Sequence, residues 1–397
     1  MDLIEDIRTQ AGLVGKDVIG YRRHLHMHPE TGFDTQETER FVKQILEGER
    51  IEILPSSVGV IGKISAGTGK KGGYIALRAD MDALPLEEAN DVPYRSRAEG
   101  KMHACGHDGH TAMLLGAATV LQRNREKLSR DVLLIFQPAE EGPKLGGARI
   151  MLKDLESMGL VPEIRAMAAL HLTTEHPAGT VAVRYGSSMA STDEFDIGIT
   201  GLGGHGGSPH KAIDALSLAA RFVTEMESFM SRRIDPLDSA VFAIGVLKAG
   251  TAANIIPERA TLSGTLRCQR EETRGFILSG AEKHLQAICS WSGAAYTMDV
   301  RRGLPVLVND NQKVEQAERI AAEIVGADKV IRLKYPSMGA EDFAYFSEKI
   351  PAVFTWIGAR NEEKGFVHMM HNPRFDFDED ALAVGTEMLC RIAVKME

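Results

Sequence analysis

Residues 74–82 read YIALRADMD, a short and mostly apolar run that ends on two carboxylates, Asp80 and Asp82. The same construction recurs twice. Residues 131–141 read DVLLIFQPAEE, an apolar run followed by Glu140 and Glu141, and residues 166–172 read AMAALHL, which carries His171. In open α/β sheets, ligands gather at the carboxyl ends of strands. Three strand ends therefore deliver carboxylate and imidazole to one edge of one sheet. A lone Glu-Glu pair would pass for a solvated loop; the concurrence of three strand ends decides otherwise.

Working outward, further strands are predicted at 180–184 and 352–357. A helix is predicted at 111–124, with Met113, Leu114, Ala117, Ala118 and Leu121 spaced for one face. Strands alternating with amphipathic helices imply an α/β sheet covered on both faces. From 188 to 300 the order changes to strand (194–200), helix (212–230), strand (240–247), strand (260–266), helix (272–290), strand (295–301). That is a β-α-β-β-α-β unit, an open ferredoxin-like α+β sandwich. The expectation is a main domain made of 1–187 and 301–397, interrupted by a satellite domain at 188–300. Polar or glycine-bearing joints, Gly186-Ser187-Ser188 and Arg301-Arg302-Gly303, would act as hinges.

The 397 residues are 44% hydrophobic, enough for more than one core. A net charge of −9 without a Lys/Arg block offers no footprint for nucleic acid or an anionic membrane, so a small-molecule partner is expected. The first residues lack the basic-then-apolar order of a signal peptide, and no run of about 18 apolar residues occurs. A cytoplasmic protein with no membrane span is the expectation. Four cysteines, Cys105, Cys268, Cys289 and Cys390, are too few for a disulfide scaffold, which points to a reducing compartment.

Cys105 has unusual surroundings. In MHACGHDGH (102–110) it stands two residues from His107, just ahead of the predicted helix. Zinc-like ions accept thiolate, imidazole and carboxylate together, and a thiolate can bridge two cations. Adjacent Glu140 and Glu141 suit a division of labour in which one carboxylate binds metal and the other takes a proton from water.

RRHLHMHPETGF (22–33), ALRADMDALP (76–85), MHACGHDGHTAM (102–113), FQPAEEGPKLGGA (136–148), LHL (170–172), GGHGGSPH (203–210), AANIIPERA (252–260), GTLR (264–267) and HNPRFDFDE (371–379) occur in one order. Together they resemble the dinuclear-metal aminoacylase and peptidase family, in the branch containing hippurate hydrolase and the plant auxin-conjugate amidohydrolases. The resemblance spans residues 22 to 379. It implies a zinc-peptidase-like α/β/α catalytic domain with the inserted ferredoxin-like satellite. It further implies two divalent ions, zinc or manganese with cobalt or nickel as substitutes, held by Cys105, His107, Glu141, His171 and His371. Glu140 would be general base and acid, and Asp82 would orient a metal ligand. Many relatives outside this branch carry His-x-Asp where this chain has Asp80-Met81-Asp82, so Asp80 is not counted among the ligands. On the satellite domain, His205 resembles the histidine that stabilises the oxyanion, often from a second subunit. Asn254 and Arg267, thirteen residues apart, are similar to the groups that hold the substrate's α-carboxylate, a task suited to a guanidinium fork.

The implied reaction is hydrolysis of N-acyl amino acids to a carboxylic acid and a free amino acid, by a homodimer or higher homo-oligomer joined through the satellite domain. Glu140 would move the proton of the attacking water to the departing amine, and the domains would close on the substrate. The alternatives are a metallo-carboxypeptidase acting on short peptides, a cysteine hydrolase using Cys105 and His107, and a non-enzymatic binding protein that kept the fold. His24, His26, His28, His103 and His110 are read as structural groups or supports to the ligands. The glycines of 201–210 match a nucleotide loop only literally, without its βαβ context.

Overall fold

The computed structural model describes residues 3–67, 72–142 and 146–397. Pro143, Lys144 and Leu145 of the FQPAEEGPKLGGA stretch lie outside the described residues. Two compact units emerge. One comprises the chain up to Gly186 with Val308–Tyr335 and Asp342–Glu397; the other is Ser187–Leu307 with Pro336–Glu341.

The larger unit is built on an eight-stranded sheet. Its order is Glu52–Leu54, Val60–Ile64, Asp131–Gln137, Tyr74–Asp80, Ile164–Pro177, Ala352–Arg360, Val181–Val183, Val330–Arg332. The four central strands, from Asp131–Gln137 to Ala352–Arg360, run parallel, so their carboxyl ends share one edge. Both faces of these strands are covered, as parallel strands require, and they are buried almost throughout. Helices Leu3–Met27, His107–Arg123 and Asp380–Lys395 pack on one another, the latter two against the central strands. Helices Gly147–Ser157 and Ala344–Ser347 form a second group, touching Asp131–Gln137 and Ala352–Arg360 respectively. The chain thus has the α/β/α build expected of it.

Two expectations change in detail. The helix predicted from 111 begins at His107, because Gly106 turns the chain with φ +95° and Asp108 is neutralised within the first turn. It is buried on every side from His107 to Leu121, so its apolar face is only part of its packing surface. Gly116 lets the first helix approach closely, since a Cβ there would lie 2.5 Å from Val18. The strand carrying His171 runs on to Pro177, but register places Ala169 opposite Arg78, which puts His171 level with Asp80.

The smaller unit contains strands Ser191–Thr200, Ala240–Ala249, Arg259–Cys268 and Ala295–Arg302 and helices Ala215–Arg233 and Glu271–Ser292. In chain order the strands stack second, third, first, fourth, with all neighbours antiparallel, which is the ferredoxin-like arrangement. Its own core includes Phe195, Phe222, Leu262, Leu266, Ile277 and Leu285. Asp214 caps the first of its helices by accepting from the backbone N–H of Leu216 and Ser217. Among the described residues, no helix is long and apolar enough to cross a membrane.

Candidate metal centre

At the carboxyl edge of the large sheet, Cys105, His107 and His171 offer donor atoms within 4.8 Å of one another, and so do Cys105, Glu141 and His371. Cys105 belongs to both sets. Its Sγ lies 3.6 Å from His171 Nε2. Three of the chain segments come from strand ends or the helix entrance; the fourth brings His371 in from a loop whose N–H donates to the Ala104 carbonyl at 2.7 Å. His371 itself has φ +65° and Ala139, just before the two glutamates, φ +57°. Non-glycine residues in the left-handed region carry backbone strain, of the kind that collects at functional sites.

The tautomers follow from what each ring's other nitrogen does. His107 Nδ1 donates to the Asp82 main-chain carbonyl at 2.8 Å, and His171 Nδ1 donates to the Leu172 carbonyl at 2.7 Å. A carbonyl only accepts, so both rings carry a proton on Nδ1. His171 then presents Nε2 as a lone pair, whereas on His107 burial is outweighed by Asp80 and Cys105, which raise it well above its ordinary range, so its Nε2 would give up a second proton to bind a metal. The buried Nε2 of His107 has no hydrogen-bond partner among the described residues. Burial and the neighbouring His110 ring hold His171 well below its ordinary range, which keeps it neutral. Outer hydrogen bonds of this kind fix the orientation of metal-ligating histidines.

Electrostatics favours a cation at the same spot. Burial would raise Glu141, but His371 and His107 bring it below the ordinary carboxylate range. Cys105 and Glu141 in turn raise His371 to about 10. The His371 Nε2 is 2.8 Å from Glu141 Oε1, yet that oxygen makes no aligned hydrogen bond. Burial pushes the Cys105 thiol up, against the pull of His107. A divalent ion would relieve all of these at once, and thiolate, imidazole and carboxylate are donors it accepts. The residues fit a metal pair.

Asp82 grips the turn that bears both glutamates: its Oδ1 accepts from the Glu140 N–H at 3.0 Å and its Oδ2 from the Glu141 N–H at 3.1 Å. The Glu140 Oε1 accepts from the Asp342 N–H at 3.4 Å. The other histidines are engaged elsewhere or set apart. His26 bridges Asp108 and Glu88 in the interior, and His28 bonds the His24 carbonyl. Burial lowers His103 to about 3, and it joins none of the candidate donor sets. All four cysteines are free and buried.

The smaller unit has its own arrangement. Gly204-His205 pairs with Ile255-Ile256, and the Gly206 N–H donates to the Asn254 carbonyl, which brings His205 and Asn254 together, both exposed. Arg267 is elsewhere. Arg259 pairs with Thr200 at the end nearest His205, whereas Arg267 pairs with Thr192, and eight strand residues span about 26 Å. The Arg267 Nη1 donates to the Met338 carbonyl at 2.8 Å. Thirteen residues of sequence thus become opposite ends of a sheet.

Residues 76–395 match the model of peptidase family M20/M25/M40. The chain belongs to that family. It is 35% identical to thermostable carboxypeptidase 2 of Saccharolobus solfataricus, over 100% of this chain and 99% of the relative. It is 37% identical to N-acetylcysteine deacetylase of Bacillus subtilis, over 95% of this chain and 96% of the relative. Among solved structures it resembles the YXEP protein of Bacillus subtilis, described as a dinuclear metal binding peptidase, with a TM-score of 0.81 and 33% identity over 96% and 98% of the two chains. This M20 protein is a metal-dependent amidohydrolase.

Proposed function

We propose that this M20 hydrolase cleaves N-acyl amino acids, with two divalent ions held by Cys105, His107, Glu141, His171 and His371. The observation that carries the reading is the convergence of two imidazole Nε2 atoms, whose rings are oriented by Nδ1 bonds to main-chain carbonyls, with a thiol and a carboxylate. When bound, such ions acidify water and polarise the amide carbonyl. Membership of Cys105 in both donor sets supports a shared thiolate, and the mixture of sulfur, nitrogen and oxygen donors suits zinc, with manganese as the alternative. Glu140 collects the proton of the attacking water and returns it to the departing amine nitrogen. Its carboxylate is aimed by the Asp342 N–H, and its backbone by Asp82. Free cysteines support a reducing, cytoplasmic setting.

On the smaller unit, His205 is assigned to the oxyanion, and Asn254 and Arg267 to the substrate carboxylate. The distance along the strand between them supports a homodimer in which His205 and Asn254 serve one active site and Arg267 another. Mixing inactive His205→Ala with inactive Glu140→Ala subunits, under conditions that allow exchange, should restore part of the activity. Mixed dimers that stay inactive would return His205 to its own chain.

The carboxypeptidase named among the relatives supports a second reading, in which the acyl group is itself a peptide. Amine release should be measured on N-acetyl, N-benzoyl and N-indoleacetyl amino acids and on dipeptides, before and after chelation. The first reading expects turnover of the acyl conjugates, its loss on metal removal, and its return with zinc or manganese. Preference for dipeptides would replace it with the second, and activity that survives chelation would reject both.

A further inference from the structure

Asp80 ends its strand two residues before Asp82, and Asp80, His107 and His110 have donor atoms within 4.8 Å of one another. Nearness alone would make a third ligand group. The valences argue otherwise. Asp80 Oδ2 accepts from Arg78 Nη1 at 2.6 Å, and its Oδ1 lies 2.6 Å from His110 Nδ1. The Nε2 of His110 accepts from the Leu172 N–H at 2.8 Å. A backbone N–H only donates, so Nε2 is a lone pair and the proton sits on Nδ1, directed at Asp80. Both nitrogens of His110 are therefore used within the protein, and each oxygen of Asp80 already accepts a short hydrogen bond. Asp80 and His110 are 0% and 2% exposed, so water does not compete for these bonds.

The line Arg78, Asp80, His110, Leu172 joins the carboxyl ends of two parallel strands. It arrives at the residue next to His171. Leu172 is held at its N–H by His110, and its carbonyl is the group that takes the His171 Nδ1 proton. The Asp80 main-chain carbonyl also accepts from Thr111 Oγ1 at 2.8 Å, which ties the same strand end to the helix carrying His107.

We propose that Asp80 and His110 are positioning residues that bind no metal: together they fix the Leu172 backbone, and through it the direction in which His171 presents Nε2. The inference rests on the reading of His171 as a metal ligand. An asparagine at 110 can reproduce only the Nδ1 arm toward Asp80, and a glutamine only the Nε2 arm toward Leu172. A role confined to packing would not tell the two apart.

The test is zinc affinity by competition with a chromophoric chelator on the full-length wild type, His110→Gln, His110→Asn and His171→Ala, with thermal unfolding confirming that each is folded. Cobalt spectra of the same set report the coordination at the site. His110→Gln is expected to stay within a few-fold of the wild type with an unchanged spectrum. His110→Asn is expected to lose roughly 10–100-fold in affinity for one ion, as loss of a ligand's supporting bond does. Equal affinities in Gln, Asn and wild type would overturn the proposal. So would a His110→Gln protein that loses an ion outright as His171→Ala does, because His110 would then be a ligand. A wild type that binds no ion would overturn the metal reading as well, and that failure is visible without any variant.

Discussion

Glu140→Ala should keep both ions and lose about 10²–10⁴ in kcat, the usual worth of a positioned general acid-base. The proposed division gives metal binding to Glu141 and proton transfer to its neighbour Glu140. Both lie in a donor set with His107, but only Glu141 joins Cys105 and His371 in a second one, while a Glu140 oxygen also accepts from the Asp342 N–H. Removing Glu140 leaves the Glu140 and Glu141 backbone N–H groups on Asp82, so the turn should hold its shape. Metal content and steady-state kinetics on one preparation decide the matter. An ion lost with Glu140, or a rate within tenfold of the wild type, would mean that the two glutamates had been assigned the wrong way round.

Arg22→Met should destabilise the large unit by about 3–5 kcal/mol, the usual cost of breaking a buried charge group by removing one partner. Arg22 is fully buried. Its guanidinium bonds Asp108 at 2.9 Å and Asp376 at 2.6 Å, reaches Glu379 at 3.3 Å, and lies over the Tyr94 and Phe377 rings. Methionine matches the stem but removes the positive charge from between the aspartates, leaving Asp108 to His26 and Asp376 to the Tyr94 hydroxyl. Burial would raise the Asp108 carboxyl, yet Arg22 and His26 hold it far below its ordinary 3.8. A depressed carboxylate stabilises the fold above its unfolded value and ceases to do so as pH falls toward the folded one. The gap between wild type and variant should therefore be full at pH 7 and narrow below about pH 3.8. Denaturant unfolding at several pH values reads both effects, and a difference under about 1 kcal/mol at pH 7 would refute the assignment.

The network also explains why the helix start was misread. His107 and Asp108 look like loop residues in sequence, because nothing nearby marks them as buried. Asp108 finds its partners in Arg22 and His26, some eighty residues earlier, and His107 finds its own in the Asp82 carbonyl. The strand-end logic, by contrast, uses only local pattern, and it located Asp82, Glu140, Glu141 and His171 on one sheet edge. It could not resolve Asp80, whose carboxylate is claimed by an arginine on its own strand and a histidine one turn into the helix. The ferredoxin-like order was legible because strand and helix periods alternate cleanly there. The separation of Asn254 from Arg267 was not, because spacing along the chain says nothing about which end of a strand a residue occupies.

Parallel pairing of Ile164–Pro177 with Ala352–Arg360 has a consequence for how the enzyme comes into being. Met167 meets Ala352 only after the whole smaller unit has been synthesised between them. Non-local parallel pairings form slowly, whereas the smaller unit's sheet closes within Ser191–Arg302 and can fold while translation continues. Until then the Ile164–Pro177 strand presents an apolar open edge, a natural client for a chaperone. His371 arrives later still, so a nascent chain holds an incomplete donor set. A chain that stops short of His371 would therefore be expected to lack the donor set of Cys105, Glu141 and His371 and to hold metal less well than the whole.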